Sequence, residues 1–191
     1  MQALPTGPAP APRNQLLVVS SLAAVAMVML TGGMLGVWLV QRTDAIDAEG
    51  TWVPEGVTIP EVPSNVMLLA FVAVCVFGQW ALWSAKHGDR PHTAFALGCL
   101  ALVALLIVNA QAFIFHEMGL GIADGTYAAM FYAVTGMFLA LMIVGLTFTA
   151  IAAFRYLGGR VDHELLTAHA IFWYALTAVY AAIWFVVYVV K

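Results

Sequence analysis

Charge is what this sequence has least of. Only 9% of its 191 residues are Asp, Glu, Lys or Arg, and 63% are hydrophobic. Water-soluble domains run at roughly 25% charged and 45–50% apolar, so burial in water could not absorb this apolar surface and a bilayer must be the solvent. Cysteine is scarce too: Cys75 and Cys99 both lie inside apolar segments, as small hydrophobes, and imply neither a disulfide framework nor a metal site. No glycine-rich phosphate cradle, Cys-x-x-Cys pair or nucleophile elbow occurs, and no nucleic-acid partner is expected. The nine methionines read as core filler.

What is present is apolar length. Five stretches meet the demand that a hydrocarbon core of ~30 Å makes of a helix rising ~1.5 Å per residue. They are residues 16–40, 66–83, 93–115, 127–154 and 168–190, and none contains Asp, Glu, Lys or Arg. They lack the period-two alternation of a membrane barrel, so the expected fold is an all-α integral membrane protein, a bundle of five transmembrane helices. The first stretch is too long for a secretory h-region and no cleavage pattern follows it, so it is expected to be a retained span. Residues 1–14, with Pro5, Pro8, Pro10 and Pro12, read as an extended cytoplasmic tail, and residues 15–191 as a single membrane domain. Residues 41–65 read as an acidic outer loop, the one long loop and the place for a partner contact.

Arg13, Lys86, Arg90, Arg155 and Arg160 fall on one side of the five spans, Arg42 and Lys191 on the other. The positive-inside rule then puts the N-terminus inside and the C-terminus outside. Seven of the ten acidic residues fall in the outer loops. Aromatic pairs such as Trp38 with Trp52, Trp80 with Trp83, and Phe172 with Trp173 read as interfacial anchors. Gly32 and Gly36 form a small-xxx-small pair for close helix approach, and Thr135, Gly136 and Gly145 are further candidates for helix contact. The amides of Gln79, Asn109 and Gln111 are expensive in lipid and are expected to face another helix.

No span offers the buried carboxylates or bases of a proton relay, ion path or voltage sensor. Haem ligation by a pair such as His92 with His169 is disfavoured, because these histidines sit at span ends and read as interfacial. No inverted repeat or matched pair of broken helices marks a transporter.

Several local runs have a familiar order. Gly50, Trp52 and Pro54 follow the first span; Pro63, Asn65, Leu68 and Leu69 lead into the second. Gly88 and Asp89 follow it, Gln111 and Phe113 end the third, and Gly125 and Tyr127 precede the fourth. The run Phe131, Tyr132, Ala133, Val134, Thr135, Gly136 is followed in the last span by Phe172, Trp173, Tyr174, Tyr180, Trp184 and Tyr188. Collinear over residues 38–191, this order resembles subunit III of haem-copper terminal oxidases, in the short five-helix bacterial form that lacks the first two helices of longer versions. The run at 131–136 is similar to the start of the family's Phe-Tyr-x-x-Thr-Gly-Phe-His-Gly-Leu-His motif. Departures are equally specific: the family's two histidines there become Phe138 and Leu141, its later histidine and aspartate become Tyr174 and Thr177, and its buried glutamate is missing near Met27. Loss of all five together is consistent with exchange of a polar interior for an apolar one, since a half-dismantled buried network leaves unpaired groups.

The resemblance implies a noncatalytic subunit in the bacterial cytoplasmic membrane that binds no haem or copper itself. It would flank the catalytic subunit I, which carries those groups, stabilise it and bind structural phospholipid, with any role in proton uptake put in doubt by the missing residues. A lipid would lie in a cleft between the first two helices and the last three, with Lys86, Arg90 and Arg155 near the head groups. The alternatives are an equivalent subunit of a nitric oxide reductase, a small transporter or haem-bearing quinol-oxidising cytochrome, and an assembly or structural factor of a respiratory complex.

Overall fold

The computed structural model describes residues 14–160 and 162–191; the proline-rich tail, with Arg13, lies outside the described residues apart from Asn14. Five long helices follow one another: α1 (Gln15–Glu49), α2 (Glu61–Lys86), α3 (Arg90–Met118), α4 (Thr126–Leu157) and α5 (His163–Ile183). The last continues as a π-helical segment, Trp184–Val189. All five are long and apolar enough to cross a membrane, because each carries an unbroken apolar run that satisfies its backbone internally, as hydrocarbon requires.

The helix ends follow from local chemistry. Gly50 stops α1 in the left-handed conformation (φ 77°), and its N–H donates to Ile46 O at 2.9 Å. Asp89 starts α3 by accepting from His92 N at 3.2 Å, and Asp162 starts α5 by accepting from Leu165 N at 3.0 Å. The Asp89 carboxyl also meets His92 Nδ1 at 2.7 Å, and that side-chain bond, with the backbone bond beside it, holds the carboxyl below its usual range.

Two features of the chain path differ from the reading of the sequence. The segment read as a loop over 41–65 is helical through Glu49 and again from Glu61, leaving residues 50–60 as the connection. Ala45, Ile46, Ala48 and Glu49 are compatible with a helix, and Ala45 and Ile46 pack on the core, so α1 continues past its apolar run. Nor do the first two helices stand apart from the last three. α2 packs most extensively along α3 and also along α5, while α1 packs mainly on α5. The first two helices therefore form no separate arm: α5 is the helix that meets α1, α2 and α4 alike, and the open ground between early and late helices lies between α1 and α4.

The core fills from aromatic residues. Phe71 stacks on Tyr180 (ring centroids 4.9 Å apart), and Phe138 meets Tyr180 at the same separation. Trp38, Trp52 and Tyr127 form an edge-to-face knot with centroids 5.3–5.6 Å apart. Trp38 is 0% and Trp52 7% exposed, and Phe172 and Trp173 are buried as well, so these four are core residues and not interfacial anchors. Depth along a span is legible in sequence; which face a ring takes is set by the neighbouring helix.

Candidate functional site

Because α1 is seated on α5 and touches α4 only lightly, a groove runs between α1 and α4 with α5 as its floor. Three bonds hold α1 at its N-terminal end: Ser20 Oγ donates to Ala168 O at 2.7 Å, and the Glu164 carboxylate accepts from Leu16 N at 2.7 Å and Leu17 N at 3.2 Å. Those two N–H groups are among the unpaired donors of a helix start, so a carboxylate there also meets the positive end of the helix dipole. Towards the other end of α1, the Arg42 guanidinium donates to the carbonyls of Val190 and Lys191.

The groove opens into a hollow of about 420 Å³ lined by Leu16, Val19, Ser20 and Ala23 of α1, by Ile143 to Ile151 of α4, and by Ala168 and Phe172 of α5. Further along the same two helices, Met29, Leu30, Gly33, Met34 and Val37 face Met130 and Ala133 across a second hollow of about 580 Å³. Between the hollows the helices touch, with Thr31 Oγ1 3.9 Å from Met137 Sδ. Polar atoms along this track are already used: the Ser20 hydroxyl goes to Ala168 O, Thr31 to Met27 O, and Thr147 to Ile143 O at 2.9 Å. What remains is an apolar track in the size range of ligand pockets, suited to hydrocarbon and not to a polar substrate.

Arg155 lies one turn beyond Ile151 of the groove wall and pairs with Asp162 at 3.5 Å, while Lys86 and Arg90 are exposed at the turn between α2 and α3. Gly32, Gly36 and Gly136 have nothing within 4 Å of a Cβ built on them, whereas one at Gly145 would lie 2.9 Å from Phe172 Cε1 and 3.0 Å from Trp173 Cζ2. Thr135 is buried and donates to Phe131 O of its own helix at 2.6 Å.

His169 is not interfacial. It is 1% exposed, and its Nε2 accepts from Trp173 Nε1 at 3.0 Å and lies 2.8 Å from Thr149 Oγ1. His92 is engaged with Asp89. Among the described residues, no three His, Cys, Asp or Glu side chains gather as metal ligands. The Thr149–His169–Trp173 knot joins α4 to α5, and no signal in the sequence pairs residues 149 and 169. The positions of the five departures also separate in space. Met27 and Phe138 are buried apolar residues and Leu141 is half-buried, but Tyr174 and Thr177 face the α2 side and remain bonded, to Gln79 and Cys75. The interior is thus apolar at the first three positions, while the last two belong to a polar seam. Of the three span amides, Gln111 faces the core beside Tyr188, Gln79 meets Tyr174, and Asn109 is exposed, so within this chain only the first two meet another helix.

The family model for cytochrome c oxidase subunit III matches residues 22–191. Cytochrome c oxidase subunit 3 of Cyprinus carpio is 30% identical over 145 residues, covering 73% of this chain and 55% of that protein. The Xenopus laevis protein of the same name is 30% identical over 121 residues (62% and 45%), and that of Sus scrofa 26% over 148 residues (73% and 55%). The chain thus spans about half the length of the curated relatives it matches. With a match that runs from within α1 to the final residue, the chain belongs to the cytochrome c oxidase subunit III family.

Proposed function

We propose that this chain is a noncatalytic subunit III-like component of a respiratory haem-copper terminal oxidase. It stabilises the catalytic subunit I and holds phospholipid along the α1/α4 groove. The observation that carries the reading is the family match over residues 22–191 on a chain whose spans hold no ionised carboxylate or base. Haem and copper belong to partner subunits, which do the oxygen chemistry. This chain contributes shape: a rigid apolar surface beside the partner and a track for acyl chains, with Arg155 placed to meet an anionic head group near the mouth of the groove.

The membrane is taken to be a bacterial cytoplasmic membrane, with the N-terminus inside. The bundle alternates direction, so Lys86 and Arg90 at one turn and Arg155 and Arg160 at another share an end with the start of α1, while Arg42 and Lys191 share the opposite end. That asymmetry supports the orientation.

The test is purification from the native membrane in mild detergent, with a reduced-minus-oxidised spectrum, metal analysis, and identification of co-purifying chains and lipids. The expected result is a-type haem, copper and a large multispan oxidase subunit travelling with a chain that is colourless when isolated. Non-haem iron in place of copper would move the assignment to a nitric oxide reductase, and haem on the isolated chain would overturn it. Filling the groove by Ala23→Phe is expected to lower co-purifying phospholipid while leaving the five-helix fold intact; unchanged lipid content would remove the groove from the proposal.

A further inference from the structure

One face of the molecule carries a seam of paired polar side chains that ends in an open amide. Along the α2/α5 contact, four bonded pairs follow one another: Glu61 with Lys191, Asn65 with Trp184 (2.7 Å), Cys75 with Thr177 (3.2 Å) and Gln79 with Tyr174 (2.7 Å). The Thr177 hydroxyl donates to Trp173 O at 2.8 Å, so the Cys75 thiol is the donor to Thr177. The Tyr174 hydroxyl donates to Gln79 Oε1, and Gln79 Nε2 has no partner among the described residues. Gln79 is exposed, and it lies seven residues, about 10 Å, before the charged end of α2 at Lys86. Gln79 lies inside the apolar run of residues 66–83, where an open amide N–H pair is costly. Beside it, Cys75, Val76, Trp80, Trp83 and Tyr174 frame a hollow of about 480 Å³.

We infer that the α2/α5 face around Gln79 is the docking surface for a membrane-spanning helix of another subunit of the oxidase complex, one that presents a hydrogen-bond acceptor to Gln79 Nε2. The inference rests on the proposed oxidase reading. A lipid chain fills the hollow but offers no acceptor at that depth; a helix offers both apolar bulk and a carbonyl or side-chain oxygen. Asn109 of α3 is a second open amide, exposed on the face of Leu105, Leu106 and Phe113, and that face is the rival that the test sets against this one.

The test is photocrosslinking in native membranes, with p-benzoylphenylalanine replacing Val76 or Trp83 on the proposed face, and Leu105 on α3 or Leu22 on α1 as comparison positions. Adducts with an oxidase subunit from positions 76 and 83, at least tenfold above the comparison positions, are expected. Oxidase adducts from position 105 or 22 and none from 76 overturn the face and leave the oxidase reading standing. Adducts from position 76 with only lipid or a second copy of the chain overturn it as well. No oxidase adduct from any position, together with no oxidase subunit on purification, removes the functional reading and this one with it. Gln79→Leu should lower the yield at position 76 about threefold, the worth of one interhelical hydrogen bond; an unchanged yield means that the amide is not what the partner reads.

Discussion

Replacing Gly145 by alanine tests the packing logic at its tightest point. The new Cβ would sit 2.9 Å from Phe172 Cε1, 3.0 Å from Trp173 Cζ2 and 3.1 Å from Trp173 Cη2. Unstrained carbon contacts lie at ~3.5–4.0 Å, so both rings would have to retreat by about half an ångström. Trp173 has little freedom to do so, being fully buried with its N–H shared between His169 and Thr149. Overpacking of this kind costs about 1–3 kcal/mol, and displacing the indole N–H from its acceptors adds about 1 kcal/mol or more. The gain in helix propensity returns about 1 kcal/mol. The net expectation is a loss of about 2 kcal/mol. Gly136→Ala is the control, since nothing lies within 4 Å of its added carbon, and it should be neutral or slightly stabilising. Titration from mild detergent into dodecyl sulfate, followed by tryptophan fluorescence, reads both. Equal midpoints for Gly145→Ala and Gly136→Ala would refute the reasoning.

Two further outcomes follow from bonds described above. Trp173→Phe removes the N–H that binds His169 and Thr149 and shrinks a fully buried ring, leaving a cavity, and should cost about 2–4 kcal/mol in the same titration, with Trp184→Phe at the exposed Asn65 contact costing less. Asp89 has a folded carboxyl held below its unfolded range, so its contribution is present above that range and is lost as pH falls through the lowered folded value. Hydrogen exchange at the His92 amide should therefore distinguish wild type from Asp89→Ala at neutral pH, and the difference should shrink as the pH is lowered through the carboxyl's range; a difference independent of pH would count against the Asp89–His92 bond.

The spans were legible because each is an apolar run longer than a bilayer demands, and that signal needs no partner. The helix starts at Asp89 and Asp162 are set by local chemistry too, but only the apolar runs, not these caps, were read from the sequence. Contacts between distant residues were not legible. Trp38 and Trp52 lie near a span end, the usual place for an interfacial anchor, yet Tyr127 closes over both. His169 sits at another span end, and only the meeting of α4 with α5 buries it against Thr149. The groove depended on the order of packing around α5, which no residue of α1 announces. Gln79 was recognisable as a costly amide, but its outward aim came from the turn of α2 against α5.

The seating of α1 on α5 also has a temporal side. Ser20 and Ala168, which bond across that contact, are 148 residues apart. At a synthesis rate of about 5–20 residues per second, the first helix waits roughly 7–30 s for its seat to be made. Through that interval the side of α1 that will pack on α5 meets lipid or the insertion machinery, because the surface that covers it does not yet exist. The bundle closes from its last helix, and a chain cut short before α5 leaves its first helix without a seat.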